Sequence, residues 1–110
     1  MMTTGGHKEK FSRHGRVRAR RSAVQALYQW EMTHAPVAEV IAEFIHDRDE
    51  IKKADVDYFT EVLEGATGHV AEIDVGLGTF LDRTLHSLDP VERSILRLGM
   101  YELLYHPEIP

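Results

Sequence analysis

The chain has 110 residues, of which 43% are hydrophobic and 28% charged, as in a single soluble globular domain. It has no cysteine, which excludes disulfides and thiolate chemistry. It also lacks a signal-peptide core and any apolar run near the ~20 residues that cross a bilayer, so we expect a cytoplasmic protein. Residues 1–21 hold seven Lys or Arg against one acid, whereas residues 22–110 hold six against 17 acids. This segregation indicates nucleic acid at the basic arm and a basic protein at the acidic body.

The N-terminal third of the chain predicts a basic arm followed by a long helix. Residues 1–15 contain three glycines and no hydrophobic period, so we expect an arm that is disordered until a ligand binds it. Residues 16–110 are predicted as one helical domain, whose first helix runs from about Val17 to Met32 and ends before Pro36. The inward face of that helix has residues at i, i+3, i+4 and i+7: Ala23, Ala26, Leu27 and Trp30.

The far side of the first helix carries a stripe with spacings of three, four and three residues: Arg18, Arg21, Gln25 and Tyr28. Together with Arg16 and Arg20, these are the candidate nucleic-acid-binding residues. Arginines at a helix N-terminus oppose the helix dipole, which indicates that function, and not stability, selects them. Guanidinium groups suit phosphate oxygens, and a flat ring can stack on a base. The alternatives are a solvated arm that keeps the chain soluble and, for Tyr28, a residue that only covers the bundle edge.

Three further elements follow before the last helix. A second helix is predicted after Pro36 and ends in a charged loop over residues 46–50. Asp55, a good N-cap, begins a third helix whose apolar spacing continues to about Leu77. Gly65 and Gly68 lie inside it, so we expect a close crossing by a neighbour or a kink there. Residues 79–88 are predicted as a short helix or an irregular turn.

The last helix has the clearest start signal in the chain. Asp89 is the N-cap, Pro90 the first helical residue, and Glu92 the third residue after the cap. The helix extends to Tyr105 and is apolar on nearly every side, which predicts a position in the middle of a bundle. Because the chain shows no β-alternation, the predicted fold class is all-α.

The sequence gives no sign of catalysis or of a metal site. The seven histidines never occur at i, i+4, and none lies in an HExxH motif. The acidic loop at residues 47–50 lacks the glycine and the bidentate glutamate of an EF-hand, so we interpret it as a solvated loop. The chain has no Gly-rich phosphate loop, no GxSxG and no nucleophile with a recognisable base. We therefore expect no enzyme activity, no cofactor and no metal.

Several segments of the sequence point to one known family. They are Arg18–Glu31 with its ALYQW motif, Tyr58-Phe59 with Gly65, the DPVER start of the last helix followed by Ser94–Arg97, and Tyr101–Leu103. With these segments the chain resembles the NusB family of transcription antitermination factors. The resemblance covers about residues 16–110, and the ALYQW stretch and the DPVER start are specific to it in combination.

The resemblance implies a helical bundle that binds RNA and a protein. Its RNA would be the single-stranded boxA element of ribosomal RNA leaders, and its partner the ribosomal protein NusE within the RNA polymerase antitermination complex. It implies RNA contacts at the arginine-rich start and Tyr28, and partner contacts at Glu92 and Phe80. Val17 and Phe80 depart from the arginine and tyrosine that other members carry. Some members self-associate, so a homodimer through an apolar face fits the resemblance as well.

Two other functions also fit the sequence. The chain could be the detached NusB-like RNA-binding domain of an rRNA cytosine methyltransferase, or a helical adaptor that binds no RNA.

The resemblance also has a structural consequence. Because further helices follow the last helix of this sequence in the family, we expect an incomplete bundle whose C-terminal helices are missing. Leu96, Leu103 and Leu104 should then stay partly exposed and form a self-associating patch.

Overall fold

The computed structural model describes residues 2–81 and 84–107, with the backbone alone for residues 2–12. Within these ranges the chain forms five α-helices, two short 3-10 segments and no strand, which confirms the all-α fold. The helices are α1 (Met2–Thr33), α2 (Val37–Asp47), α3 (Val56–Gly68), α4 (Val70–Gly78) and α5 (Pro90–Tyr105). The 3-10 segments are Asp49–Lys53 and Leu85–Ser87. Residues 82–83, inside the segment predicted as a turn, and residues 108–110 lie outside the described residues.

The core lies where α1, α3 and α5 meet, with α2 and α4 packed against them. The predicted inward face of α1 is buried, and its alanines at residues 19, 23 and 26 allow neighbouring helices to approach closely. Phe44 of α2 and Phe59 of α3 stack with ring centroids 5.8 Å apart. Trp30 is partly buried against this core. No helix in the described part of the chain is long and apolar enough to span a bilayer.

The first helix begins much earlier than the sequence predicts. It starts at Met2 instead of Val17, so residues 2–15 have a helical backbone, which differs from the disordered arm expected without a ligand. Extending an existing helix costs far less than nucleating one, and no proline interrupts this segment. The carbonyl of Gly15 also accepts a hydrogen bond from the backbone N–H of Asp55 at 3.0 Å. The division of the chain into an arm and a domain at residue 15 stays a prediction.

The predicted third helix is divided at His69 into two helices, α3 and α4, and this break directly follows Gly68, where a kink was one of the two expectations. Asp55 caps α3 as predicted, and its side chain accepts the backbone N–H of Tyr58 at 3.0 Å. The two interior glycines have different roles. Gly65 is the site of a close crossing, since a Cβ atom there would collide with Tyr101, whereas Gly68 has no neighbour within 4 Å and precedes the break.

The start of α5 is as predicted, but the side of α5 that faces the core is not uniformly apolar. Asp89 accepts the backbone N–H of Val91 at 2.7 Å, and the Glu92 carboxylate accepts the backbone N–H of Asp89 at 3.3 Å, which completes the capping box. The buried side of α5 includes two arginines, Arg93 and Arg97, which the helical pattern did not identify as core residues.

The outer side of α5 is apolar and open to solvent. Leu103 is 72% exposed and Leu104 47%, as the sequence predicts, and Leu96 is half-buried. Ile95 adds a side chain that is 52% exposed. Ile95, Leu96 and Leu103, but not Leu104, line a groove of about 610 Å³ together with Leu77 of α4.

Candidate nucleic-acid interface

One exposed line of side chains runs along α1. Arg18, Arg21, Gln25 and Tyr28 are all exposed, and Tyr28 retains 39% of its accessible surface. The spacing of three, four and three residues keeps them on one side of the helix, over about 15 Å at ~1.5 Å per residue. This set, called here the α1 stripe, presents two guanidinium groups, an amide and a ring to solvent. These groups can bind phosphates and stack on a base.

The structure does not bring Arg16 and Arg20 together with the α1 stripe. Both lie against Tyr58 of α3, where their guanidinium carbons are 5.6 and 5.9 Å from the ring centroid. Arg20 also donates from Nε to Oε2 of Glu102 at 2.7 Å. The Nε of Arg16 is buried and has no hydrogen-bond partner among the described residues. The predicted arginines therefore form two pairs with different surroundings.

A groove of about 380 Å³ borders the α1 stripe and brings in a residue that the sequence did not suggest. Gln25 and Tyr28 line both the groove and the stripe. The lining also includes Arg48, which follows the end of α2, and Val91 at the start of α5. This set, called here the Tyr28 groove, depends on three separate helices. No local signal in the sequence marks Arg48, because only the packing of α2 on α1 brings it there.

The two candidate residues for a protein partner are both on the surface. Phe80 follows α4 and is 77% exposed. Glu92 is exposed in the first turn of α5, where its carboxylate also closes the capping box. Glu92 therefore has a structural role whether or not a partner contacts it. Among the described residues, no group of three His, Cys, Asp or Glu side chains is placed to hold a metal ion.

An ion cluster of two buried arginines and two partly buried carboxylates connects the end of α1 with α4 and α5. Arg97 donates to both carboxylate oxygens of Asp74 at 2.9 and 2.8 Å and to Glu31 at 3.3 Å. Arg93 pairs with the same Glu31 carboxylate and donates to the carbonyl of Leu88 at 2.9 Å. This set of Glu31, Asp74, Arg93 and Arg97, called here the arginine cluster, fixes the helix ends on which Tyr28 and Glu92 lie.

Comparison with known proteins identifies the family. The model of the NusB family matches residues 17–110. The transcription antitermination protein NusB of Xylella fastidiosa (strain 9a5c) is 45% identical over 95 residues, which cover 86% of this chain and 60% of that protein. The protein of the same name from Xanthomonas axonopodis pv. citri (strain 306) is 40% identical over 115 residues, which cover 100% of this chain and 72% of that protein.

The chain thus spans about 60% of the length of the Xylella relative. Both relatives are named as antitermination proteins and not as enzymes, which agrees with the expectation that this chain is not an enzyme. The family match covers most of the chain, and the all-α fold is the one that the resemblance implies. This chain belongs to the NusB family.

Proposed function

We propose that this chain acts in transcription antitermination by binding single-stranded RNA along the α1 stripe. The RNA is the boxA element of ribosomal RNA leaders. The observation that carries the proposal is the exposed alignment of Arg18, Arg21 and Tyr28 on one side of α1. The antitermination name of both relatives favours this function over a detached methyltransferase domain.

The exposed ring of Tyr28 favours single strands over duplexes. Bases inside a helix are stacked on one another, whereas a single strand can place a base on an aromatic side chain. Such a contact contributes about 1–3 kcal/mol per base. Arg18 and Arg21 bind phosphates on the same strand, and Gln25 lies between them and the ring. Arg16 and Arg20 contribute from the neighbouring side of α1, where the Glu102 carboxylate offsets the charge of Arg20.

The protein partner in this proposal is the ribosomal protein NusE, within the antitermination complex of RNA polymerase in the cytoplasm. Residues 22–110 hold 17 acids against six Lys or Arg, and such an excess attracts a basic protein and accelerates its association. The exposed ring of Phe80 supplies an apolar contact, and Glu92 a negative charge at the start of α5.

The proposal is tested by titrating labelled boxA RNA at several salt concentrations, with and without NusE. If about four phosphates are neutralised, log K falls with log salt at a slope of about −2.8. The double variant Arg18→Ala/Arg21→Ala should weaken binding and reduce that slope by about 1.4. The control variant Lys52→Ala/Lys53→Ala removes the same charge from the exposed 3-10 segment and should leave the slope unchanged.

Two results would contradict the proposal. An unchanged slope in the Arg18/Arg21 variant would show that the α1 stripe does not contact the RNA backbone. No RNA binding at any salt concentration, with NusE binding retained, would identify the chain as an adaptor that acts through proteins alone.

A further inference from the structure

The groove on the outer side of α5 is long enough to hold one helix. Its lining extends along α5 from Ile95 to His106 and includes Leu77 of α4 and Arg20 of α1. At ~1.5 Å per residue, that stretch is about 16 Å long, or about three turns of a helix. This groove, called here the α5 groove, has a volume of about 610 Å³. Most of its lining is apolar, and the apolar stripe of a second helix fits such a surface.

Gly99 lies in the middle of the α5 groove, and the packing of this chain does not require a glycine there. A Cβ atom at residue 99 would meet nothing within 4 Å. Glycine inside a helix is less favourable than alanine, so its presence needs another reason. A glycine allows a neighbouring helix to approach closely, as Gly65 allows α5 to cross α3. Gly99 therefore points to a close approach by a helix other than α1 to α4.

The exposed side of α5 has the pattern of a helix that pairs with a copy of itself. Glu92, Gly99 and His106 are spaced by seven residues, and this spacing keeps a line of side chains facing a partner helix. Ile95 and Leu103 lie four residues before and after Gly99, and both are more than half exposed. The line is thus symmetric about Gly99. A two-fold interface requires a surface that is self-complementary in this way.

The charges along this line favour an antiparallel pair. A parallel pair would place Glu92 of one copy beside Glu92 of the other, and opposed like charges weaken an interface. An antiparallel pair instead places Glu92 opposite His106. At that end of the helix each carboxylate already has a basic partner, since Glu102 pairs with Arg20 at 2.7 Å and Glu61 with His106 at 2.8 Å. Glu92 therefore meets less repulsion there than beside its own copy.

We propose that the α5 groove binds the α5 helix of a second copy of this chain, antiparallel, with Gly99 of both copies at the two-fold axis. Ile95 of one copy then packs against Leu103 of the other. A contact of three helical turns is smaller than the ~800 Å² that each partner contributes to a standard interface, so the dimer is weak and depends on protein concentration. The pairing is independent of RNA binding, because no residue of the α1 stripe lines the groove.

Cysteine crosslinking tests the orientation directly, because the chain has no cysteine of its own. A disulfide forms only between Cα atoms within ~7 Å. Ile95→Cys and Leu103→Cys should therefore crosslink when the two variants are mixed under mild oxidation. Neither variant should crosslink with itself, since the two copies of residue 95 lie about 12 Å apart along the pair at ~1.5 Å per residue. We expect at least about tenfold more mixed dimer than either self-dimer.

The control for random collision is Val75→Cys, which places a thiol at a position of α4 that is 73% exposed and outside the groove. It should crosslink with neither of the other variants. Electrophoresis without reductant, with mass spectrometry of the linked peptides, measures all of these products.

A second test fills the crossing point without disturbing the fold. Gly99→Lys places a charged side chain from each copy at the two-fold axis, so it should raise the dissociation constant of the dimer at least about tenfold in sedimentation. The melting temperature of the monomer should not fall, because residue 99 has open space and lysine favours a helix more than glycine does. Gly78→Lys is the matched control, since a Cβ atom there also meets nothing within 4 Å, and it should leave the dimer intact.

Three outcomes would overturn the inference. Self-crosslinking of Ile95→Cys and Leu103→Cys without a mixed product would show a parallel pair. A wild-type monomer at every concentration, with no mixed crosslink, would leave the α5 groove to a different polypeptide. A Gly99→Lys variant that dimerises as well as the wild type would place the contact on another face. RNA binding by the α1 stripe would stand in each case.

Discussion

Gly65 of α3 lies against the hydroxyl group of Tyr101 of α5, and a Cβ atom at residue 65 would lie closer than 3.0 Å to that oxygen. Gly65→Ala should therefore separate α3 from α5 and lower the free energy of unfolding by about 1–3 kcal/mol in urea denaturation. Gly68→Ala is the matched control, because nothing lies within 4 Å of its Cβ position, and it should be neutral or slightly stabilising. Equal effects of the two variants would contradict the close crossing.

The arginine cluster should be sensitive to loss of its shared carboxylate. Glu31→Ala leaves Arg93 buried, with backbone carbonyls as its remaining partners among the described residues. Removing one partner of a buried ion pair lowers the free energy of unfolding by about 3–5 kcal/mol. Urea denaturation measures this loss directly. Asp49→Ala removes the exposed partner of Lys52 and should cost less than about 1 kcal/mol. Similar losses of stability in both variants would show that the arginine cluster stabilises the fold no more than an exposed ion pair does.

Two tyrosines predict a loss of stability at alkaline pH. Burial, reinforced by hydrogen bonds to Glu102 and Glu61 respectively, raises the pKa of Tyr58 and Tyr101 above the usual value. The unfolded tyrosines ionise near pH ~10, whereas the folded ones keep their protons, so stability that is present below pH ~10 is lost as the pH rises beyond it. Urea denaturation between pH ~8 and ~11 should show this decline. Tyr101→Phe should flatten it, and an equally steep decline in that variant would refute the assignment.

Two neighbouring arginines of α1 should respond differently to the same substitution. Arg20 pairs with Glu102 at 2.7 Å, so Arg20→Ala should lower the melting temperature by a few degrees as well as weaken RNA binding. Arg21 is exposed in the α1 stripe, so Arg21→Ala should weaken RNA binding with little change in melting temperature. Thermal melting and RNA titration of both variants make the comparison. A large drop in melting temperature for Arg21→Ala would show that this residue supports the fold.

The apolar outer side of α5 should bind hydrophobic dye and promote self-association. Ile95 and Leu103 are more than half exposed on one side of that helix, and contiguous patches of this kind associate. Ile95→Ser/Leu103→Ser should lower dye fluorescence and shift sedimentation toward the monomer. Val75→Ser, which changes a side chain that is 73% exposed on α4, should change neither. Unchanged dye binding in the double variant would place the patch elsewhere.

Local signals predicted the parts of this fold that depend on residues close together in sequence. The capping box of α5 uses Asp89 and Glu92, three residues apart, and it forms as the sequence indicates. The α1 stripe follows from helical spacing alone, so Arg18 and Tyr28 are on the surface where the pattern placed them.

Local sequence patterns did not predict the features that depend on distant residues. Arg93 is buried because Glu31, 62 positions earlier, meets it with a carboxylate. Arg48 lies beside the α1 stripe only because α2 packs against α1. The position of each of these residues depends on a contact between distant segments, which the pattern within one segment cannot predict.

The arginine cluster determines how two ligands can influence each other on this chain. Glu31 lies one turn beyond Tyr28, and Arg93 is the residue after Glu92, so the cluster ties the proposed RNA surface to the proposed protein surface through side chains that are mostly buried. A chain held in this way is a preorganised template, on which each ligand raises the effective concentration of the other. We therefore expect cooperativity between RNA and ribosomal protein to come from contacts between the two ligands, and not from a conformational change that passes through α1 and α5.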